Sequence, residues 1–205
     1  GDPRGEWFHR GTELIRAIDL PLADGELPRL AACLRRLHRG AAHPLGQSPR
    51  GGTQTAGPLL KRAEPEISAL RAHLAGAVRT YIDGLPPADP RHPLLGRPRR
   101  GFRFEGAWSV LLRGAGHHVS HIHSRGWISS ALYVELPAGM SDAADRAGWL
   151  GFGVPPLPEQ GAGAPVAMLP PVAGRLVLFP SVFWHGTRPF AAGERLTVAF
   201  DVVGR

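Results

Sequence analysis

From residue 101 onward one pattern repeats: short apolar or alternating runs, each broken within a few residues by Gly, Pro or a polar turn. The runs are FRFEGAWSVLL, HHVSHIH, WISSALYVEL, WLGFG, APVAMLP, GRLVLFP and ERLTVAFDVV. A strand exposes alternate side chains on opposite faces, and such runs at close spacing read as β-strands of a sandwich or barrel. Seven such runs in about 100 residues lead to the expectation that residues 101–205 form a sandwich or jelly roll. The whole chain is expected to be mainly β with N-terminal helices supporting the barrel.

Residues 1–100 have a different character. A helix is expected over GELPRLAACLRRLHRG, with Asp24 as its cap, Leu27, Leu30, Leu34 and Leu37 on one face, and Gly40 as its stop. A second is expected over EPEISALRAHLAGAVRTYIDG, with Pro65 in its first turn, Ile67, Leu70, Leu74, Val78 and Tyr81 apolar, and Gly84 at its end. LIRAIDLPL at 14–22 alternates weakly and suits an outer strand. HPLGQSPRGGTQTAGP at 43–58 reads as a long polar loop, with Arg50 and Gln54 as candidate substrate contacts. The reading is therefore one compact domain: a helical support over 1–100 that includes loop 43–58, and the β-core over 101–205.

Composition narrows the function classes. Apolar residues are 43% of the 205, and no run approaches the roughly 20 apolar residues of a membrane span. The net charge is +7, but the arginines are scattered and Lys61 is the only lysine, so neither a nucleic-acid nor a membrane partner is expected. A single cysteine, Cys33, allows no internal disulfide and suits a reducing, cytoplasmic setting, with the thiol buried. The first residue is Gly1, which fits a piece of a longer multidomain chain.

HHVSHIHSRGW at 117–127 concentrates four histidines. On a strand His121 and His123 project to one face, the spacing of a metal site, while His118 has the opposite parity and His117 lies at the strand entrance. A third ligand must come from elsewhere, and only His185, in FPSVFWHGTRPF, follows. Imidazole suits iron, zinc, copper or nickel. Arg195 falls on the inward face of the last strand with Thr197, Ala199 and Asp201, leaving Leu196, Val198, Phe200 and Val202 to pack on the other side. A buried arginine needs an anionic partner, and a carboxylate matches its fork. By parity Trp127 is a further candidate for the pocket and for substrate.

Residues 102–203 resemble the 2-oxoglutarate- and iron-dependent oxygenases, specifically the prolyl-4-hydroxylase-like branch and its bacterial and phage group that carries H-x-H. The stretches HVSHIHSRGWISSALYVELP, WLGFGVP and GRLVLFPSVFWHGTRPFAAGERLTVAFDV carry the likeness. The resemblance implies a double-stranded β-helix, the cupin-like form of the jelly roll, over 101–205, and Fe(II) on His121, His123 and His185, with Arg195 as the fourth catalytic residue. It implies 2-oxoglutarate held at its distal carboxylate by Arg195, Tyr133 and Thr197, with dioxygen as co-substrate. An amino acid, peptide, protein or other small molecule would be hydroxylated, with succinate and CO2 as co-products. Most of that superfamily has H-x-D, so His123 makes the metal site more positive by one charge. Two alternatives stay open. A cupin-type three-histidine dioxygenase gains from the G-x5-P of Gly174 to Pro180 but gives Arg195 no task. A non-catalytic metal-binding module fits the missing carboxylate.

Overall fold

The structure is a computed structural model and describes residues 3–10, 12–39, 46–156 and 163–205. In chain order the elements are α1 (Pro3–His9), β1 (Arg16–Asp19), α2 (Glu26–Leu37), β2 (Pro49–Gln54), α3 (Pro65–Asp83), β3 (Phe102–His118), β4 (Ile128–Glu135), β5 (Leu150–Phe152), β6 (Ala167–Leu169), β7 (Arg175–Pro180), β8 (His185–Thr187) and β9 (Glu194–Gly204). All strand pairs are antiparallel. They form a six-stranded sheet in the order β1-β7-β4-β9-β3-β2 and a three-stranded sheet in the order β6-β5-β8. This is the expected mainly-β, double-stranded β-helix architecture.

The helices bury the stripes that their periodicity marks. Ile67, Leu70, Leu74, Val78 and Tyr81 of α3 are buried, as are Leu30 and Leu34 of α2, with Leu27 and Leu37 packed partly against them. Each fully buried Leu or Ile contributes roughly 1.5–3 kcal/mol of hydrophobic stabilisation. Tyr81 also donates its hydroxyl to Leu14 O at 2.7 Å, tying α3 to the segment entering β1. Pro65 opens α3 and Gly84 closes it, as expected. Cys33 is buried on α2, and burial pushes its thiol pKa up. Among the described residues no helix is long and apolar enough to cross a membrane.

Three expectations are corrected. Asp24 does not cap α2: the cap position is Gly25 at φ +73°, where a left-handed backbone suits glycine, and Glu26 instead accepts from Ala23 N at 3.0 Å. Gly40, the expected stop, lies outside the described residues. The polar segment 43–58 is not all loop, because residues 49–54 are strand β2, paired along β3 from Val110 to His118; residues 43–45 lie outside the described residues. The runs FRFEGAWSVLL and HHVSHIH are not two strands. A single strand runs from Phe102 to His118 and then stops, so His121 and His123 stand beyond β3, where an isolated bridge joins His121 to His185. The short strand β8, starting at His185, was not foreseen.

Candidate metal centre and 2-oxoglutarate pocket

A pocket lies between the two sheets. His121, His123 and His185 stand on one side of it, and Arg195, Tyr133 and Thr197 line it as well. His121 and His185 exchange both backbone hydrogen bonds at 3.0 Å, and His123 N donates to Ser181 O at 2.8 Å. These bonds strap the segment after β3 against the approach to β8. Although the H-x-H is not in a regular strand, its two histidine rings still converge on one side. The ring centroids are 4.2 Å (His121–His185), 5.0 Å (His121–His123) and 5.2 Å (His123–His185) apart. One nitrogen from each lies within 4.8 Å of the others.

The hydrogen bonds decide which nitrogen that is. His121 Nδ1 lies 2.8 Å from Val119 O, His185 Nδ1 lies 2.9 Å from Phe183 O, and His123 Nδ1 lies 2.6 Å from the Asp201 carboxylate. Carbonyl and ionised carboxylate oxygens only accept, so each Nδ1 carries the proton and each Nε2 keeps its lone pair. Burial lowers the pKa of His121 to about 4 and that of His185 well below its ordinary value, with the neighbouring imidazoles adding to both shifts. Neutral rings with inward lone pairs are what a divalent transition metal binds.

Arg195 is 1% exposed. Its guanidinium donates to Gly148 O at 2.8 Å and to Thr187 Oγ1 at 3.0 Å, and lies 5.6 Å from the Phe190 ring centroid. Among the described residues no carboxylate pairs with it, and its Nε is buried without a partner. The hydroxyl of Tyr133, on β4, is likewise buried and unpartnered. Burial raises the Tyr133 pKa to about 12, against the opposing effect of Arg195, so the phenol keeps its proton to donate. Thr197 Oγ1 lies 3.4 Å from Val110 O. A buried cation without a counter-ion, beside an idle hydroxyl donor, matches the end of a dicarboxylate. The residues present therefore fit both a metal and 2-oxoglutarate.

The other candidates separate. Arg50 and Gln54 line an outer vestibule with Trp108, Ile122 and Arg125, beside His121 and His123. Trp127 does not join them: it is 4% exposed in the hydrophobic core, and its indole N–H is donated to Leu94 O at 3.0 Å. The strand-parity argument fails there because Trp127 precedes the first residue of β4. His117 is held at the rim by Ala115 O at 3.2 Å. His118 lines the pocket, with Nδ1 3.0 Å from Ser48 Oγ. Sequence reasoning missed Thr187, Phe190, the Gly148 carbonyl and the link between His123 and Asp201. Only the last left a signal, since parity puts Asp201 on the inward face of β9.

Residues 106–201 match the family model described as "Putative 2OG-Fe(II) oxygenase". This match runs through the β-core, from β3 into β9. The chain's activity is therefore that of an iron- and 2-oxoglutarate-dependent oxygenase, and the cupin and non-catalytic alternatives fall away. Solved structures agree in fold. A prolyl-4-hydroxylase from Pseudomonas putida is 20% identical, with 96% of each chain covered and a TM-score of 0.60. A viral collagen prolyl hydroxylase from Paramecium bursaria Chlorella virus-1, in complex with 2-oxoglutarate, is 14% identical over 93% of this chain and 96% of that one, at 0.58. HygX from Streptomyces hygroscopicus, with nickel, 2-oxoglutarate and hygromycin B bound, is 14% identical over 98% of this chain and 86% of that one, at 0.60. No sequence relative was found among curated proteins.

Proposed function

We propose that His121, His123 and His185 hold the iron, that Arg195, Tyr133 and Thr197 seat the distal carboxylate of 2-oxoglutarate, and that an amino-acid, peptide or protein side chain entering past Arg50 and Gln54 is hydroxylated. One observation carries this reading: the unpartnered Arg195 Nε and Tyr133 hydroxyl are buried in the same pocket as three converging imidazoles.

The iron, when bound, supplies the coupling of dioxygen reduction to 2-oxoglutarate decarboxylation and to oxidation of a substrate C–H bond. The protein's part is binding, orientation and exclusion of water. Arg195 offers a fixed, desolvated charge that a carboxylate neutralises, and Tyr133 adds a neutral donor. Gly148 O and Thr187 hold the guanidinium in place, so little ordering remains when the ligand arrives. Leu150, Phe179 and Val198 give the pocket apolar walls. Among the similar structures, a prolyl hydroxylase from Trichoplax adhaerens was solved with a peptide fragment. The open vestibule between β2 and the H-x-H segment supports a substrate of that kind here.

Anaerobic addition of Fe(II) and then 2-oxoglutarate tests the ligand set through the visible charge-transfer band of the ternary complex. The wild type develops the band. His121→Ala and His185→Ala each lose it together with stoichiometric iron, because each removes one of three protein ligands. Full iron content in both variants would contradict the assignment.

A further inference from the structure

H-x-H leaves the metal without the anionic ligand that H-x-D supplies, yet a carboxylate is close by. Asp201 Oδ1 lies 2.6 Å from His123 Nδ1 and 2.6 Å from Ser129 Oγ. Ser129 Oγ lies 2.8 Å from Ser181 Oγ. An ionised carboxylate can only accept, so the Ser129 proton points to Asp201, and the Ser181 hydroxyl then donates to Ser129. Among the described residues no lysine or arginine pairs with Asp201; its partners are His123 and Ser129, by hydrogen bonds. Both side chains are largely buried, at 16% and 17% exposed, where a charge-assisted bond is stronger than in water.

The two ends of this bond are anchored differently. Asp201 sits in β9, between β4 at Ser129 and β3 at Gly106, in the middle of the large sheet. His123 stands on the irregular stretch after β3, held through its backbone by Ser181 O. The rigid partner is the carboxylate, so Asp201 sets the ring of His123 and not the reverse.

Resting on the triad reading above, we propose that Asp201 is a positioning residue that returns, from behind His123, the negative charge that H-x-H withdraws from the metal. It fixes His123 with the proton on Nδ1 and Nε2 turned toward His121 and His185. By drawing on that proton it makes the imidazole a stronger donor. The pair thus acts as one ligand whose charge is set one bond further out.

Zinc serves as the probe, because it is diamagnetic and needs no turnover. Calorimetric titration of metal-free protein is expected to show Asp201→Asn binding zinc about 10- to 100-fold more weakly than the wild type, the range for loss of such an outer partner. Ser129→Ala, which frees the carboxylate, acts in the same direction but less. In zinc-loaded wild type, nitrogen–proton NMR correlations place the His123 proton on Nδ1 at low field, and in Asp201→Asn that signal moves upfield. Equal zinc affinity in wild type and Asp201→Asn overturns the proposal and leaves the triad standing. A wild type that takes up no zinc overturns both. Should Asp201→Asn not fold, the wild-type spectrum decides, since a His123 proton on Nε2 overturns the proposal without any variant.

Discussion

His38 follows the last residue of α2, and both nitrogens of its ring are engaged, Nδ1 with Thr53 Oγ1 at 2.8 Å and Nε2 with Ser109 Oγ at 3.0 Å. Burial, helped by the charges of Arg113 and Arg35, lowers its pKa to about 4. In the unfolded chain the same ring takes a proton near its ordinary value of 6.5. Between those values the unfolded state binds the extra proton, so stability falls as pH drops from about 6.5 to about 4. His38→Gln should flatten that part of the curve relative to wild type, by on the order of 1 kcal/mol for a half-buried ring. Unfolding midpoints measured across this range check it, and parallel curves for the two proteins would contradict it. In the sequence His38 falls just after Leu37, the last residue of the expected apolar stripe. The sequence cannot show that the ring joins two hydroxyls contributed by β2 and β3. Arg195 and the three histidines were legible because a buried charge and clustered imidazoles each demand a partner. Trp127 misled because an indole suits core and pocket equally, and only the Leu94 carbonyl chooses between them.

β2 shows what periodicity cannot reveal about an element. PRGGTQ has no apolar alternation and two adjacent glycines, the pattern of a loop, yet it pairs with β3 beside the pocket. The reason is contact distance. A Cβ on Gly52 would lie 2.1 Å from Leu111 O and 2.8 Å from the Leu112 Cα, so the chains can approach only without a side chain there. Gly51 adopts φ +72° at the register shift of this pair, a left-handed conformation that costs other residues about 1–2 kcal/mol. Gly52→Ala should therefore cost about 3 kcal/mol or more, since backbone and not a pliable side chain must move, while Gly51→Ala stays near 1–2. Urea unfolding of the two variants separates these values, and a neutral Gly52→Ala would mean that β2 is not paired as described. The strands of the β-core were legible where branched and aromatic residues alternate. β8 was hidden because three residues carry no period.

On the scale of the molecule, the division near residue 100 that composition suggests is crossed by the sheet itself. Both edge strands of the large sheet, β1 and β2, come from the N-terminal half, and helices α2 and α3 pack on the same core. The small sheet is joined to the large one across the pocket. Arg195 of β9 donates to Thr187 of β8 and to Gly148 just before β5, so its guanidinium stands where the two sheets meet. The account as a whole depends on what that guanidinium faces. The direct measurement is calorimetric titration of 2-oxoglutarate into metal-loaded wild type and Arg195→Met, which keeps an unbranched side chain but removes the charge. A charge-assisted fork is worth roughly 1.5–3 kcal/mol or more, and each 1.4 kcal/mol is tenfold in affinity, so Arg195→Met should bind about 10- to 1000-fold more weakly while retaining the metal. Equal affinity for 2-oxoglutarate in the two proteins would mean that Arg195 does not hold the co-substrate, and would contradict the account at its centre.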